Sequence, residues 1–167
     1  IRCQLSKLKL VSDSLKAYGV DVVVLLAPGK GSFCQEYIPD VYKSTKGIAT
    51  NVNVYSQILD EFKIPTLDVN RWFLSLKDDK ADYDPLFSKT GIHWSYFAEN
   101  MVTDSLLNFL RSTTGNVFPS RSKIGQFKSK IALKRDGDVW EGMNLLRPFD
   151  EFELSYPSFK RVGGESN

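Results

Sequence analysis

The chain has 167 residues, of which 42% are hydrophobic and 25% charged, a composition typical of an ordinary globular domain and not of a disordered or fibrous protein. Its 22 basic and 20 acidic residues leave a net charge of +2 and are interleaved along the sequence, which argues against a nucleic-acid-binding face. The longest apolar stretch, residues 20–28, contains Asp21 and is far shorter than the roughly 20 residues of a membrane span.

The first part of the chain predicts a helix followed by a strand. Apolar residues recur every three or four positions across residues 3–18, which predicts an amphipathic helix ended by Gly19. Residues 20–26 are β-branched and apolar and are followed by Pro28, a pattern typical of a strand buried on both faces. Residues 29–32 are therefore expected to form a loop at the carboxyl end of that strand, where open α/β sheets bind ligands.

The middle of the chain continues this alternation of helix and strand. The predicted elements are a helix over residues 51–62, a strand over 66–69, a short helix over 71–77, a polar loop over 78–85 and a long helix over 95–111. The last of these is the most regular, because its apolar residues keep the three-four spacing throughout. We expect it to pack on a sheet.

After Gly115 the sequence becomes rich in Ser, Lys, Arg and Gly, which predicts short strands and turns, with strands over residues 128–133 and 152–156. Residues 162–167 contain two glycines and resemble an unfinished connection, since a folded domain usually ends on a packed element. Taken together, the elements predict one α/β domain over residues 1–167, with a parallel sheet and flanking helices.

The chain's single histidine, His93, lies in a predicted loop directly before the long helix. An imidazole held on a loop at the rim of an α/β sheet can take a proton from a hydroxyl nucleophile at neutral pH. The alternative is structural, with the ring capping the helix backbone while Trp94 packs underneath. One histidine and two cysteines without Cys-x-x-Cys spacing, Cys3 and Cys34, argue against a metal site, and we expect no cofactor.

Three blocks of the sequence resemble the SGNH-hydrolase-like domain of the alginate O-acetylation proteins AlgJ and AlgX. The first is the apolar strand at residues 22–30 with Tyr37, Ile38 and Pro39 after it. The second is residues 89–95 (KTGIHWS), similar to the family's Asp-x-His-Trp block. The third is residues 136–146, similar to the acidic stretch and Asn-Leu before the nucleophile strand. The resemblance implies a three-layer, flavodoxin-like fold with a parallel sheet between helices.

The resemblance also implies site residues, and the chain departs from the family pattern at one of them. In the family a serine is the nucleophile, a histidine is the general base, and an aspartate two residues before that histidine orients the ring. His93 matches the base, but the position of the aspartate holds Gly91. Another carboxylate would have to substitute, and Asp82 and Asp84 are the nearest in sequence.

The family's Gly-Asp-Ser nucleophile turn does not follow His93 in this chain. We therefore expect that the chain is an incomplete portion of the domain, truncated before that turn. The alternative is a diverged relative that has no nucleophile. A third possibility is an esterase with the ordinary order of SGNH motifs, in which Ser32 attacks after the first strand. In that case Lys30 replaces the usual aspartate, and Thr90 stands where the acid three residues before His93 belongs.

A few further side chains are candidates for substrate binding. Lys30 can attract a carboxylate or sulfate-like group. Trp72 and Tyr83 offer flat apolar faces with polar edges, which suit sugar rings. Asn144 can donate a hydrogen bond at a site, although a buried turn asparagine explains it equally well.

The resemblance implies a serine-dependent O-acetyltransferase or carbohydrate esterase of the periplasm or cell envelope. The expected partners are a polysaccharide or acetylated glycan and a membrane-bound acetylation complex, with no nucleic acid and no metal. Without a nucleophile, the chain is expected to be inactive alone. The alternative hypotheses are a non-catalytic carbohydrate-binding or assembly module that kept the fold, and a structural partner domain of a larger complex.

Overall fold

A computed structural model describes residues 1–43, 50–78, 84–118, 125–144, 146 and 152–158. The chain divides into two compact units. Unit 1 comprises Ile1–Lys80 and Leu106–Phe118, and unit 2 comprises Ala81–Ser105 and Pro119–Asn167. The single domain over residues 1–167 stays a prediction.

The described residues form helices and strands with the following bounds. The helices are α1 (Arg2–Lys16), α2 (Lys30–Phe33), α3 (Asn51–Glu61), α4 (Val69–Asp78), α5 (Tyr96–Thr114) and α6 (Asp138–Gly142). The strands are β1 (Val24–Leu26), β2 (Thr66–Asp68), β3 (Gly125–Ser129) and β4 (Leu154–Ser158), and short 3-10 turns occur at Gln35–Tyr37, Asp40–Tyr42 and Lys134–Gly137.

Unit 1 is built on a small parallel sheet. Strand β1 pairs with β2 in the register Val24↔Thr66, Leu25↔Leu67 and Leu26↔Asp68. Parallel strands need a long crossover connection, and the chain between them contains α2 and α3. The predicted α/β architecture, with a parallel sheet and flanking helices, is confirmed.

The core of unit 1 lies between α1, α3 and the sheet. Its buried centre consists of Leu5, Ile58, Leu59 and Ile64, with partly buried residues of β1 packed against it. A second buried position is Phe73 of α4, which is fully inaccessible and meets Phe33 edge to face at 6.5 Å between ring centroids. The three-four spacing therefore identified the buried face of α3, whereas for α1 it placed Leu5 correctly but also included Val11 and Tyr18, which are 53% and 84% exposed.

Helix α3 begins with a side-chain cap that offers a simple test of this fold. The Thr50 hydroxyl accepts a hydrogen bond from the Asn53 backbone amide at 3.3 Å. We expect Thr50→Ala to lower the free energy of unfolding by about 1 kcal/mol, because one amide at the helix start loses its acceptor. Thr50→Ser, which keeps the hydroxyl, is the control and should unfold like the wild type in urea. Equal losses from both substitutions would contradict the capping role.

Unit 2 contains the antiparallel pair β3–β4. Phe127 lies opposite Tyr156, and their rings stack with centroids 5.6 Å apart. The Tyr156 hydroxyl accepts a hydrogen bond from the Leu133 amide at 2.9 Å, and Leu154 and Tyr156 are buried. These contacts hold the chain after β3 against β4.

Two expectations for the first strand and its loop are corrected. The strand is shorter than residues 20–26, because the Val24 amide bonds to the Pro65 carbonyl and Pro65 has no amide to extend the ladder. Its three residues are only half-buried. The expected loop at residues 29–32 is instead the start of the short helix α2. There the Gly29 carbonyl accepts hydrogen bonds from the Ser32 and Phe33 amides.

The strand predicted over residues 128–133 is also displaced. Strand β3 ends at Ser129, whose hydroxyl donates to the Ile131 carbonyl and accepts from the Ile131 amide. This side-chain turn replaces the ladder bonds that a longer strand would need. The two predicted strands do exist and pair with each other, but their bounds differ from the prediction.

Among the described helices, none is both long and apolar enough to span a bilayer. Within the same part of the chain, the structure groups no three metal-binding side chains around one point.

Candidate active site

The loop that carries His93 is closed at its base by hydrogen bonds within unit 2. Phe87 and Trp94 form an isolated antiparallel bridge, and the Ser95 amide donates to the Leu86 carbonyl at 2.8 Å. The Ser95 hydroxyl donates to the Pro85 carbonyl at 2.6 Å and accepts from the Ala98 amide at 3.2 Å, capping α5. The helix start and the loop are thus held by the same serine.

A second segment, residues 136–140, lies along this loop and is bonded to it repeatedly. The Asp136 carbonyl accepts hydrogen bonds from the Ser88 hydroxyl at 2.7 Å and the Thr90 hydroxyl at 3.2 Å. In return the Thr90 carbonyl accepts from the Val139 amide at 3.0 Å and the Trp140 amide at 3.3 Å. Those two amides belong to the first turn of α6, where backbone amides have no carbonyl partner within the helix. The loop therefore caps α6.

These contacts place the carboxylate of Asp138 beside the ring of His93. Asp138 Oδ1 accepts a hydrogen bond from the Ile92 amide at 2.9 Å, which fixes the orientation of the carboxylate. Its Oδ2 lies 3.7 Å from His93 Nε2, an electrostatic contact that is longer than a hydrogen bond. The His93 side chain is 64% exposed and that of Asp138 is 30% exposed. The His93 ring is thus largely exposed to solvent, with Nε2 on the side of the Asp138 carboxylate.

The packing around Gly91 leaves no room for a side chain at the position where the family has its orienting aspartate. A Cβ built on Gly91 would lie 2.7 Å from the Asp136 carbonyl oxygen and 2.6 Å from the Ser88 hydroxyl. The backbone of the residue 136–140 segment therefore occupies the space that a side chain at position 91 would need. The same segment carries Asp138, whose carboxylate lies beside His93.

The structure places Asp84 against the strand pair of unit 2. Its carboxylate accepts from the Ser155 hydroxyl and lies 3.2 Å from the Lys128 ammonium. The hydrogen bond between Lys128 and Asp84 and the negative charge of Asp84, together with Glu153, raise the pKa of Lys128. The carboxylate recorded beside His93 is that of Asp138, and not that of Asp84 as expected from proximity in sequence. Asp82 lies outside the described residues.

Ser32 and Lys30 lie on α2 in unit 1. The Ser32 hydroxyl is half-buried, and among the described residues of unit 1 no base accepts a hydrogen bond from it. Lys30 is half-buried at the first position of the helix. Burial raises the pKa of the neighbouring Cys34 thiol, which keeps that cysteine protonated. The roles proposed for Ser32 and Lys30 stay predictions.

The three remaining candidates have different surroundings. Trp72 is half-buried on α4 and meets Phe73 edge to face at 5.7 Å, so only part of its ring can stack on a ligand. Asn144 is exposed and has a φ of 52°, which makes it a surface turn residue and not the buried turn asparagine considered above. Tyr83 lies outside the described residues.

A family model described as "SGNH hydrolase-like domain, acetyltransferase AlgX" matches residues 1–158. The chain belongs to this family. Among solved structures, the O-acetyltransferase domain of Pseudomonas putida AlgJ is similar, with a TM-score of 0.60 and 16% sequence identity. The match covers 93% of this chain and 56% of that chain, so this chain spans little more than half of the AlgJ structure. No curated protein matches the sequence.

Family membership confirms the resemblance seen in the sequence and the SGNH-like fold expected from it. The residue that the sequence did not identify as part of the site is Asp138. A signal for it was present, because Asp136, Gly137 and Asp138 belong to the third block that resembles the AlgX family. The sequence alone could not show the tertiary hydrogen bonds that bring this block to the His93 loop.

Proposed function

We propose that the protein takes part in O-acetylation of an exported polysaccharide, with His93 as the general base. The observation that carries this proposal is the exposed imidazole of His93 beside the oriented carboxylate of Asp138. In the first step a serine hydroxyl gives its proton to His93 while its oxygen attacks the acetyl carbonyl, and the protonated ring returns that proton to the alcohol that leaves the acetyl donor. In the second step a sugar hydroxyl gives its proton to the neutral ring while its oxygen attacks the acetyl-serine ester, and the ring returns the proton to the serine oxygen as the acetyl–serine bond breaks.

The carboxylate contributes at the moment when the ring becomes charged. Protonation of His93 produces an imidazolium, and the negative charge of Asp138 at 3.7 Å stabilises it. We infer that Asp138 performs the orienting task that the family assigns to the position of Gly91. Because Asp138 is held by the Ile92 amide, it needs no rearrangement when the proton arrives.

The serines close to His93 in the sequence are not suited to act as the nucleophile. The serines nearest to His93 in the sequence, Ser88 and Ser95, are buried and donate their hydroxyls to backbone carbonyls. They are therefore poor nucleophiles, and we expect residues 1–167 alone to release acetate no faster than buffer. Turnover of a chromogenic acetyl ester by this chain alone, abolished by His93→Ala, would instead favour a nucleophilic hydroxyl within the chain.

The polysaccharide, the membrane-bound acetylation complex and the cell-envelope location are parts of the same proposal. The test is acetyl transfer by the full-length protein from p-nitrophenyl acetate to an oligosaccharide, with the acetylated sugar identified by mass spectrometry. Acetylated product supports the proposal. If the protein binds the oligosaccharide without acetylating it, and His93→Ala binds equally well, the fold serves a non-catalytic carbohydrate-binding or assembly module.

The Asp138→Asn variant tests whether Asp138 orients the His93 ring or only stabilises the fold. We expect kcat for acetyl transfer to fall about 10- to 100-fold with KM unchanged, because the neutral amide stabilises the imidazolium less. Asp138→Glu, which restores the charge, should recover part of kcat. The melting temperature of each variant is the accompanying measurement. A change in KM alone, or an equal loss in both variants, would contradict the positioning role.

A further inference from the structure

Unit 1 contains a cavity of about 590 Å³. Its walls come from α3, from β2 and from the first turns of α4. This volume falls within the range of ligand-binding pockets in proteins, which is about 300 to 1,000 Å³. The carboxyl end of β2 and the start of α4 meet at its edge, and α/β proteins commonly bind ligands at such an edge.

The cavity contains a mostly buried polar side chain, that of Asn70. Asn70 is only 7% exposed, and within the described part of the chain its side chain has no hydrogen-bond partner. It is one of the lining residues. The polar atoms of Asn70 are not sealed from solvent, so they can bond to water or to a ligand in the cavity. A ligand that both donates and accepts hydrogen bonds can replace that water.

The other polar side chains of the cavity narrow the chemistry of that ligand. Asp68 is already engaged, because its carboxylate accepts from the Ser56 hydroxyl and from the Arg71 amide, each within 2.9 Å. The Asp60 carboxylate and the Arg71 guanidinium both line the cavity, and the structure records no ion pair for either within the described ranges. The cavity therefore combines a free acceptor, a free donor and a carboxamide that does both.

The charge balance argues against a polyanion or a simple cation. Two carboxylates and one guanidinium give the cavity a net charge of about −1, which repels phosphate groups. The carboxylate of Asp68 is committed to internal hydrogen bonds and is not available to complete a cation site. Val52, Ile64 and Leu74 add apolar surface between these polar groups. Adjacent hydroxyl groups on an aliphatic ring match this pattern of acceptor, donor and apolar wall.

We propose that this cavity is a binding site for the vicinal hydroxyl groups of a neutral saccharide, with Asn70, Asp60 and Arg71 as the contacting residues. The site is independent of the chemistry assigned to His93. It binds sugar whether or not acetyl transfer occurs, so the two proposals can fail separately.

The test is calorimetric titration of the full-length protein with mannohexaose and, separately, with a mannuronate hexasaccharide. We expect the neutral sugar to bind, and Asn70→Ala and Asp60→Asn each to weaken its binding at least tenfold. Asp40→Asn is the matched control, because Asp40 lies in unit 1 on a separate 3-10 turn and is not a lining residue. The control and His93→Ala should bind like the wild type.

The melting temperature of Asn70→Ala gives a second measurement. It should stay unchanged, since within the described chain the Asn70 carboxamide makes no hydrogen bond that the substitution would remove. Three results would overturn the proposal: no binding of the neutral sugar, binding that none of the variants weakens, or binding of the uronate alone through Arg71. A lower melting temperature with unchanged binding would also overturn it, because Asn70 would then be structural.

Discussion

Replacing His93 with alanine should lower the rate of acetyl transfer by the full-length protein about 10²- to 10⁴-fold. This is the contribution that a positioned general base makes to catalysis. The reduction arises because the attacking hydroxyl then has no group to take its proton. The imidazole is 64% exposed, so its removal leaves no cavity and should not change the melting temperature. The measurement is kcat for acetyl transfer, made together with thermal unfolding of the same samples.

The control for this substitution is Glu141→Gln. Glu141 is an exposed residue of α6, in the same unit as His93, and it should retain wild-type activity. If His93→Ala retained full transfer activity while the control behaved as expected, His93 would not be the base. The role of Asp138 as its positioning residue would then fail as well.

Gly91→Ala should destabilise unit 2 by about 2 to 3 kcal/mol, the upper part of the range for overpacking a tightly filled site. A Cβ at this position would lie 2.7 Å from the carbonyl oxygen of Asp136, and backbone cannot move aside as a flexible side chain can. Gly91→Asp, which restores the family's residue, should destabilise at least as much. It should not raise activity, because the displaced segment carries Asp138.

The matched control is Gly142→Ala in α6. A Cβ built on Gly142 meets no atom within 4 Å, and alanine favours helix over glycine by about 1 kcal/mol. This variant should be as stable as the wild type or slightly more stable in urea denaturation. If Gly91→Ala unfolded at the same urea concentration as Gly142→Ala, the close packing of residues 136–140 on the His93 loop would be disproved.

Much of the fold could be predicted from the sequence because helix patterns are local. The helices α1, α3 and α5 follow from apolar residues at three-four spacing and from Gly19 and Pro65 at their ends. The strand bounds were less predictable, since pairing decides them. Strand β1 is three residues long because its partner begins after a proline, which the sequence of β1 itself does not reveal.

The candidate site could be predicted only in part for a similar reason. The position of His93 before a helix is a local feature, and the sequence showed it. Asp138 comes close to His93 through hydrogen bonds between the loop and residues 136–140, which no local pattern encodes. Proximity in sequence favoured Asp84, but that carboxylate bonds to Ser155 and Lys128.

The mutual bonding of the His93 loop and residues 136–140 makes the two segments one cooperative element. The Thr90 carbonyl accepts hydrogen bonds from the first turn of α6, and Asp138 of that turn accepts one from the Ile92 amide. Separating the two segments therefore breaks hydrogen bonds of both at once. We therefore expect His93 and the Asp138 carboxylate to become ordered together. A protein molecule that has formed the loop already holds the carboxylate in position before any substrate arrives.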